Sequence, residues 1–243
     1  MSAPQPDVSD SATLSARWWW GFVPFLLVSL VHIVALALNV DEIAAPTKLA
    51  LMPALIIAVL WGGRGSTWSV SYTLLFAALA LSWLGDGAGF FFPDAPTLPL
   101  MLLFFGLAHL CYIWIFAKRL AVRRFPRWSA IYLLWWIVTL AILSPVLLSQ
   151  TGGGAWVAAL GVYGVVLGAT AATASRCNPV IATGAAFFLA SDTVLAFLLF
   201  APDAMPAWSD PLVMLTYCTG QGLIAAGVII ADRALTPRVP MTG

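Results

Sequence analysis

The residues of this chain best able to do chemistry are the ones a lipid bilayer excludes. Asp86 (LSWLGDGAGF), His109 (FGLAHLCY) and Asp192 (FFLASDTVLAF) stand inside long apolar runs. An ionisable group in such a place costs about 2.5–3.5 kcal/mol on insertion scales and by default marks a functional site. Lys48, at the outer end of another run, and Tyr217 and Gln221, in the last one, add a cation, a phenol and an amide. Residues three or four apart share a helix face, so His109 pairs with Tyr112, Tyr217 with Gln221, and Ser82 with Asp86. Groups that give, take or hold a proton thus concentrate on five of eight apolar runs, and an assembly would turn them toward a common cavity. Asp86 and Asp192 each fall about 13–17 residues from the inner end of their run, which at 1.5 Å per residue puts them within about 5 Å of the same depth. Two carboxylates at one depth can meet. His32 has no matching partner in its run and reads as structural.

The elements that must position these groups follow from composition. The 243 residues are 62% hydrophobic and 9% charged, far below the roughly 25% of a soluble domain. With a net charge of +1 there is no basic surplus for a phosphate backbone, so nucleic acid is not an expected partner. Cys111, Cys177 and Cys218 stand singly in apolar stretches and form no metal or disulfide pattern. Taking about 20 apolar residues per span gives eight expected helices at 18–38, 47–62, 69–92, 98–119, 128–149, 154–175, 179–200 and 211–231. The fold class is therefore all-α, a polytopic bundle in one transmembrane domain (18–231) between a polar N-terminal tail (1–17, with Asp7 and Asp10) and a short C-terminal tail (232–243).

Counted by alternating loops, Arg17, Arg64, Lys118, Arg119, Arg123, Arg124, Arg127, Arg176, Arg233 and Arg238 fall on one side and Lys48 alone on the other. That asymmetry predicts both termini in the cytoplasm and a multi-pass position, in the inner (plasma) membrane for a bacterial chain. Asp41, Glu42, Asp94, Asp203 and Asp210 fall in outer connections. Trp18–Trp20, Trp128, Trp135 and Trp136 read as interfacial anchors or lipid-facing bulk. The pairs Gly85/Gly89 and Gly164/Gly168 read as close helix contacts. LSWLGD and FFLASD, four helices apart, weakly predict a parallel four-plus-four repeat.

From about residue 47 to 230 the chain resembles the YhhN-like lysoplasmalogenase family of eight-span membrane proteins. The resemblance is carried by TKLALMPAL (Lys48), the Gly85–Asp86 pair, FFGLAHLCYIWIF (Gly106, His109, Tyr112), FFLASDTVLAF (Ser191, Asp192) and TYCTGQGLIA (Tyr217, Gln221). The chain departs from the family pattern at Leu49, where proline is usual, and at Gly87–Phe90, where a leucine is usual. The resemblance implies hydrolysis of a lysoplasmalogen vinyl ether to a fatty aldehyde and glycerophosphoethanolamine or glycerophosphocholine, with the lysophospholipid, water and membrane lipids as partners. It assigns Asp86 and Asp192 as the acid/base pair, since two close carboxylates in a low dielectric do not both ionise. His109, Tyr112, Tyr217 and Gln221, with Ser82 and Ser191 beside the carboxylates, would hold water and the leaving oxygen, and Lys48 would meet the lipid phosphate. That chemistry calls for no cofactor or metal. Two rival readings use the same residues: a proton-coupled transporter with Asp86, His109 and Asp192 as a relay, and a scaffold whose polar groups only join helices.

Overall fold

The computed structural model describes residues 17–64 and 67–235; most of the N-terminal tail, with Asp7 and Asp10, and Arg238 lie outside the described residues. The described residues are helices and short connections, the form in which apolar segments satisfy their own backbone without water. A 3-10 turn (Trp18–Phe22) leads into α1 (Val23–Ala37), followed by α2 (Asp41–Gly62), α3 (Val70–Asp86) and α4 (Thr97–Lys118). A second 3-10 turn (Arg127–Ala130) opens α5 (Ile131–Leu148), and α6 (Gly153–Ala174), α7 (Pro179–Phe200) and α8 (Ser209–Leu235) complete the bundle.

Among the described residues, seven helices are long and apolar enough to cross a membrane, when the two 3-10 turns are counted with α1 and α5. The protein is thus an integral multi-pass membrane protein. The helix outside this set is α3, whose 17 residues reach about 25 Å against a hydrocarbon core of about 30 Å. Where the sequence reads one run at 69–92, α3 stops at Asp86, and a single turn, Ala88–Phe91, follows Gly87. A Cβ on Gly87 would lie 2.4 Å from the Phe91 ring and 2.8 Å from a Leu49 methyl, so a side chain at this corner would have to push both aside.

α2 begins at Asp41, six residues before the expected 47. Asp41 and Glu42 occupy its first turn, where the helix dipole favours acids. Pro46 deprives only the carbonyl of exposed Glu42 of its helical partner. Lys48 consequently sits about two turns inside α2 and not at its end. Pro53 removes the amide that would bond the Leu49 carbonyl, and the indole Nε1 of Trp83 in α3 donates to that carbonyl at 2.9 Å.

Neighbouring helices pack in pairs, α1 with α2, α3 with α4, α5 with α6 and α7 with α8, and the last pair is the most extensive. There the backbones touch: a Cβ on Gly184 would lie 2.9 Å from the Gly220 carbonyl oxygen, and one on Gly220 2.8 Å from the Phe188 nitrogen. Of the glycine pairs singled out in the sequence, Gly85 lies tight against Phe105 and Gly164 against Trp136, whereas Gly168 makes an ordinary contact with Trp135 and Gly89 falls beyond α3, beside Thr97. Further contacts of α2 with α3 and α8 are matched by contacts of α6 with α7 and α4, the neighbour pattern of a four-plus-four repeat. The pattern breaks once. α1 packs along α8, whereas its counterpart α5 is not packed along α4 and leans on α7.

α5 is also the most peripheral helix, with only Leu143 and Leu147 buried and Leu133, Leu134, Ile137, Val138 and Ile142 exposed as a lipid-facing band. Trp19, Trp20 and Trp128 are exposed, as interfacial anchors are. At the opposite end of the bundle from Asp86, Arg233 donates to the Gly62 carbonyl at 2.5 Å and Ser69 donates to Asp232 at 2.7 Å, tying α8 to the α2–α3 connection.

Candidate functional site

Asp86 closes α3, and Asp192 stands in the second half of α7, its counterpart in the repeat. Both carboxylates are partly buried and line the same cavity, of about 110 Å³, together with Lys48, Ser191 and Tyr217. A buried water needs about 10–15 Å³ of such space, so there is room for several waters or part of a larger ligand. The cavity reaches the ends of α3 and α7 and the beginnings of α4 and α8, through Asp86, Phe200, Leu98 and Asp210. These ends lie away from Lys118, Arg119, Arg123, Arg127 and Arg176, which cluster at the other end of the bundle.

Each carboxylate accepts a hydrogen bond from a tyrosine on another helix. Tyr217 of α8 donates to Asp86 Oδ2 at 2.8 Å. Tyr163 of α6 donates to Asp192 Oδ2. A carboxylate taken out of bulk water needs hydrogen-bond donors, and a phenol is a neutral donor that fixes its orientation without cancelling its charge.

Behind Tyr217 the first arm continues into the core. Gln221, one turn further along α8 and fully buried, donates from Nε2 to Ser82 Oγ at 3.1 Å, and its Nε2 lies 3.5 Å from the Tyr217 oxygen. Tyr112 of α4 donates to Gln221 Oε1 at 2.6 Å. Of the expected residues, Ser82, Tyr112 and Gln221 therefore stand behind the cavity wall and brace Tyr217. The helix-face pairings read from the sequence are what allow this, since Tyr217 and Gln221 project together from α8 and Ser82 and Asp86 from α3.

His109 is fully buried and is not on the cavity wall. Its ring meets Phe188 edge-on at 4.6 Å between centroids and lies 6.1 Å from Tyr112 and 6.0 Å from Tyr163. Neither ring nitrogen has a hydrogen-bond partner among the described residues. His109 thus stands between a tyrosine of each arm. Ser191 lines the cavity but donates to the Val213 carbonyl at 3.0 Å, joining α7 to α8. His32 has the structural place expected of it: Nδ1 lies 3.0 Å from Thr47 Oγ1, bridging α1 and α2.

Several site residues escape the sequence reading. Tyr163 is the most important; a lone phenol in the middle of a Gly/Ala-rich span is its only sequence signal, because a buried tyrosine oxygen seeks a partner. Trp135 and Trp136 correct the reading of them as interfacial or lipid-facing bulk: both line the cavity. Trp135 Nε1 donates to Thr193 Oγ1 at 3.0 Å and Trp136 Nε1 to the Gly161 carbonyl at 2.9 Å, and Gly164 leaves room for the Trp136 ring against α6. Asp210, read as part of an outer connection, lies in the first turn of α8 and faces the cavity. The rest of the wall is apolar, from α4 (Leu98, Met101, Leu102, Phe105), α5 (Leu140), α6 (Leu160, Leu167) and α7 (Leu195, Leu199). The two departures from the family pattern meet in space: Leu49 packs at the corner where Gly87 has no side chain, next to Asp86.

The arrangement offers two tyrosine-held carboxylates beside an apolar wall, with a lysine on the same cavity. Such groups can give and take protons in an apolar surround. The family model described as the YhhN family matches residues 43–228, a stretch that contains every cavity-lining residue named here. No curated protein and no solved structure matches the chain.

Proposed function

The chain belongs to the YhhN family, and from that premise we propose that it is an intramembrane hydrolase of lysoplasmalogens, spanning the bilayer eight times with both termini in the cytoplasm. The observation that carries this reading is the pair Asp86 and Asp192, brought from separate helices to one cavity and each held by a tyrosine.

Cleavage needs a proton donor, an anion and a water. One carboxyl group gives its proton to the β-carbon of the vinyl ether, leaving an oxocarbenium ion that the other carboxylate stabilises, as in glycoside cleavage. Water loses a proton to that carboxylate as its oxygen bonds to the carbon bearing the ether oxygen. The resulting hemiacetal gives its hydroxyl proton to the first carboxylate while the second returns a proton to the ether oxygen, and the C–O bond breaks to give the fatty aldehyde and the glycerophospho-alcohol; one water is consumed and both carboxyl groups regain their starting states. Lys48 faces the same cavity and supplies a cation for the lipid phosphate.

The test is aldehyde release by purified protein in detergent from an ethanolamine or choline lysoplasmalogen, with an ester lysophospholipid as control. Asp86→Asn and Asp192→Asn are each expected to lose about 10²–10⁴ in rate, the usual contribution of a positioned acid or base, while melting like the wild type. Absence of aldehyde from well-folded wild type, or full activity in either variant, overturns the proposal. Turnover in detergent, where no proton gradient exists, separates hydrolysis from a transporter's relay.

A further inference from the structure

We infer that the α5 side of the cavity is the binding site for one hydrocarbon chain of the substrate, and that the chain reaches it from the bilayer between α4 and α5, which among the described residues are not packed along each other; this rests on the hydrolase reading. Three observations converge. The polar lining is contributed by α2, α3, α6, α7 and α8, through Lys48, Asp86, Tyr163, Asp192, Asp210 and Tyr217. By contrast α5 and α4 add no charged group and no phenol: α5 lines the cavity with Trp135, Trp136, Thr139 and Leu140, and α4 with Leu98, Met101, Leu102 and Phe105. The cavity therefore joins a few ionisable groups to a mainly apolar lining, the two chemistries of a single-chain amphiphile.

Second, α5 is a wall one helix thick. Thr139 and Leu140 line the cavity, while Ile137, Val138 and Ile142 on the same two turns are exposed on the lipid-facing surface. A hydrocarbon chain moving from bilayer to cavity on this side has only α5 to pass. Third, the four-plus-four pattern says what ought to seal that passage and does not. In the first half α1 packs along α8, with Phe25 pressed on Gly222, whereas in the second half α5 is not packed along α4. The indole contacts to α6 and the Trp135 bond to Thr193 hold α5 toward α6 and α7, and the backbones of α4 and α5 do not run together, although Leu98 of α4 packs at one end on the cluster of Leu143, Leu147, Ala196 and Phe200.

The consequence for selectivity is that a narrow apolar side beside one carboxylate pair takes one chain, so a diacyl lipid has no place for its second. Chain length should then matter through α5 in a residue-specific way. Thr139→Trp fills the apolar side and is expected to raise KM for a long-chain alkenyl substrate at least about tenfold relative to a short-chain one, the scale on which hydrophobic pockets discriminate methylenes. Val138→Trp, one residue away on the lipid face, is expected to leave the long-to-short ratio unchanged, and Leu140→Phe to repeat the Thr139→Trp effect more mildly. An unchanged ratio in both Thr139→Trp and Leu140→Phe, or the same change in Val138→Trp, overturns the inference.

A second arm does not depend on turnover. A saturated alkyl lysophospholipid carrying a diazirine in its chain, which has no vinyl ether to cleave, is photolysed with wild-type protein and the adducts are mapped by mass spectrometry. Adducts on 98–105 and on Thr139 or Leu140, lost when excess unlabelled alkyl lysolipid is present and retained with excess diacyl lipid, support the site. Adducts confined to the lipid face at Leu133, Ile137 or Val138, or displaced equally by diacyl lipid, overturn it. If wild type cleaves no vinyl ether yet labels at the cavity, the hydrolase reading fails and the chain site stands.

Discussion

The two halves of the bundle are built to one pattern and finished differently. In α1–α4 the carboxylate is backed by a continuous buried chain, Asp86 to Tyr217, with Gln221 beside it and Ser82 and Tyr112 beyond, and α1 lies flat against α8. In α5–α8 the carboxylate has one phenol, Tyr163, and the peripheral helix has shifted to leave room for two indoles and a cavity. The difference teaches how a site can arise in a repeat. One acid from each half lines a common cavity, and the half whose peripheral helix packs less closely supplies much of its wall.

The largest effect is expected where the halves differ in how tightly their last two helices cross. A Cβ on Gly184 meets the backbone of α8, which cannot yield, whereas one on Gly85, in the corresponding α3–α4 pair, meets the far side of the Phe105 ring. Gly184→Ala should cost about 1–3 kcal/mol or more, as overpacking does, and Gly85→Ala less because a ring can turn. Thermal melting of both, beside Gly106→Ala, where nothing lies within 4 Å of the new methyl, checks the order. Equal melting of all three would mean that α7 and α8 cross less closely than described.

Next in size are the two phenols. Tyr163→Phe and Tyr217→Phe each remove a hydrogen bond to a carboxylate, worth about 1.5–3 kcal/mol, and so about ten- to a hundredfold in kcat/KM if the bond is kept in the transition state. The halves should separate in stability. Tyr163→Phe breaks an isolated pair, while Tyr217→Phe also disturbs the Gln221 and Tyr112 bonds behind it, so only the second should lower the melting temperature appreciably. A Tyr217→Phe protein that melts like wild type would show that the buried network does not depend on its tyrosine.

What the sequence made legible was whatever violates the bilayer's preference. Asp86 and Asp192 announce themselves because a charge in an apolar run needs a reason, and both line one cavity. Tyr163 was hidden because an uncharged phenol in a span is unremarked by hydropathy, although its oxygen carries the hydrogen bond to Asp192. Trp135 and Trp136 were misleading for a different reason: an aromatic near the start of a span resembles an interfacial anchor until one knows which face its neighbour Gly164 opens. The early start of α2 was obscured by Asp41, Glu42 and Pro46, each a loop-former by composition and each acceptable near a helix N-terminus. Rotation of a helix about its axis depends on the partner surface, and a single sequence does not carry that.

The smallest effects come from two indoles that do the same thing in the two halves with unequal consequences. Trp83 Nε1 donates to the Leu49 carbonyl in α2, and Trp136 Nε1 to the Gly161 carbonyl in α6. Pro53 leaves Leu49 without the helical amide four residues on, so Trp83→Phe strands a carbonyl within the helix. Residue 165 is valine, so the Gly161 carbonyl has a helical amide available when Trp136 is lost. Interhelical hydrogen bonds in membranes average about 0.6 kcal/mol, and Trp83→Phe should cost that or somewhat more, with Trp136→Phe costing less in bonding. Because Lys48 precedes Leu49 and shares the cavity with Asp86, loosening α2 from α3 should also raise KM slightly for the phosphate-bearing substrate and leave kcat nearly unchanged. A larger melting loss for Trp136→Phe than for Trp83→Phe would show that the indole ring, packed on Gly164, matters more to α6 than a freed carbonyl does to α2.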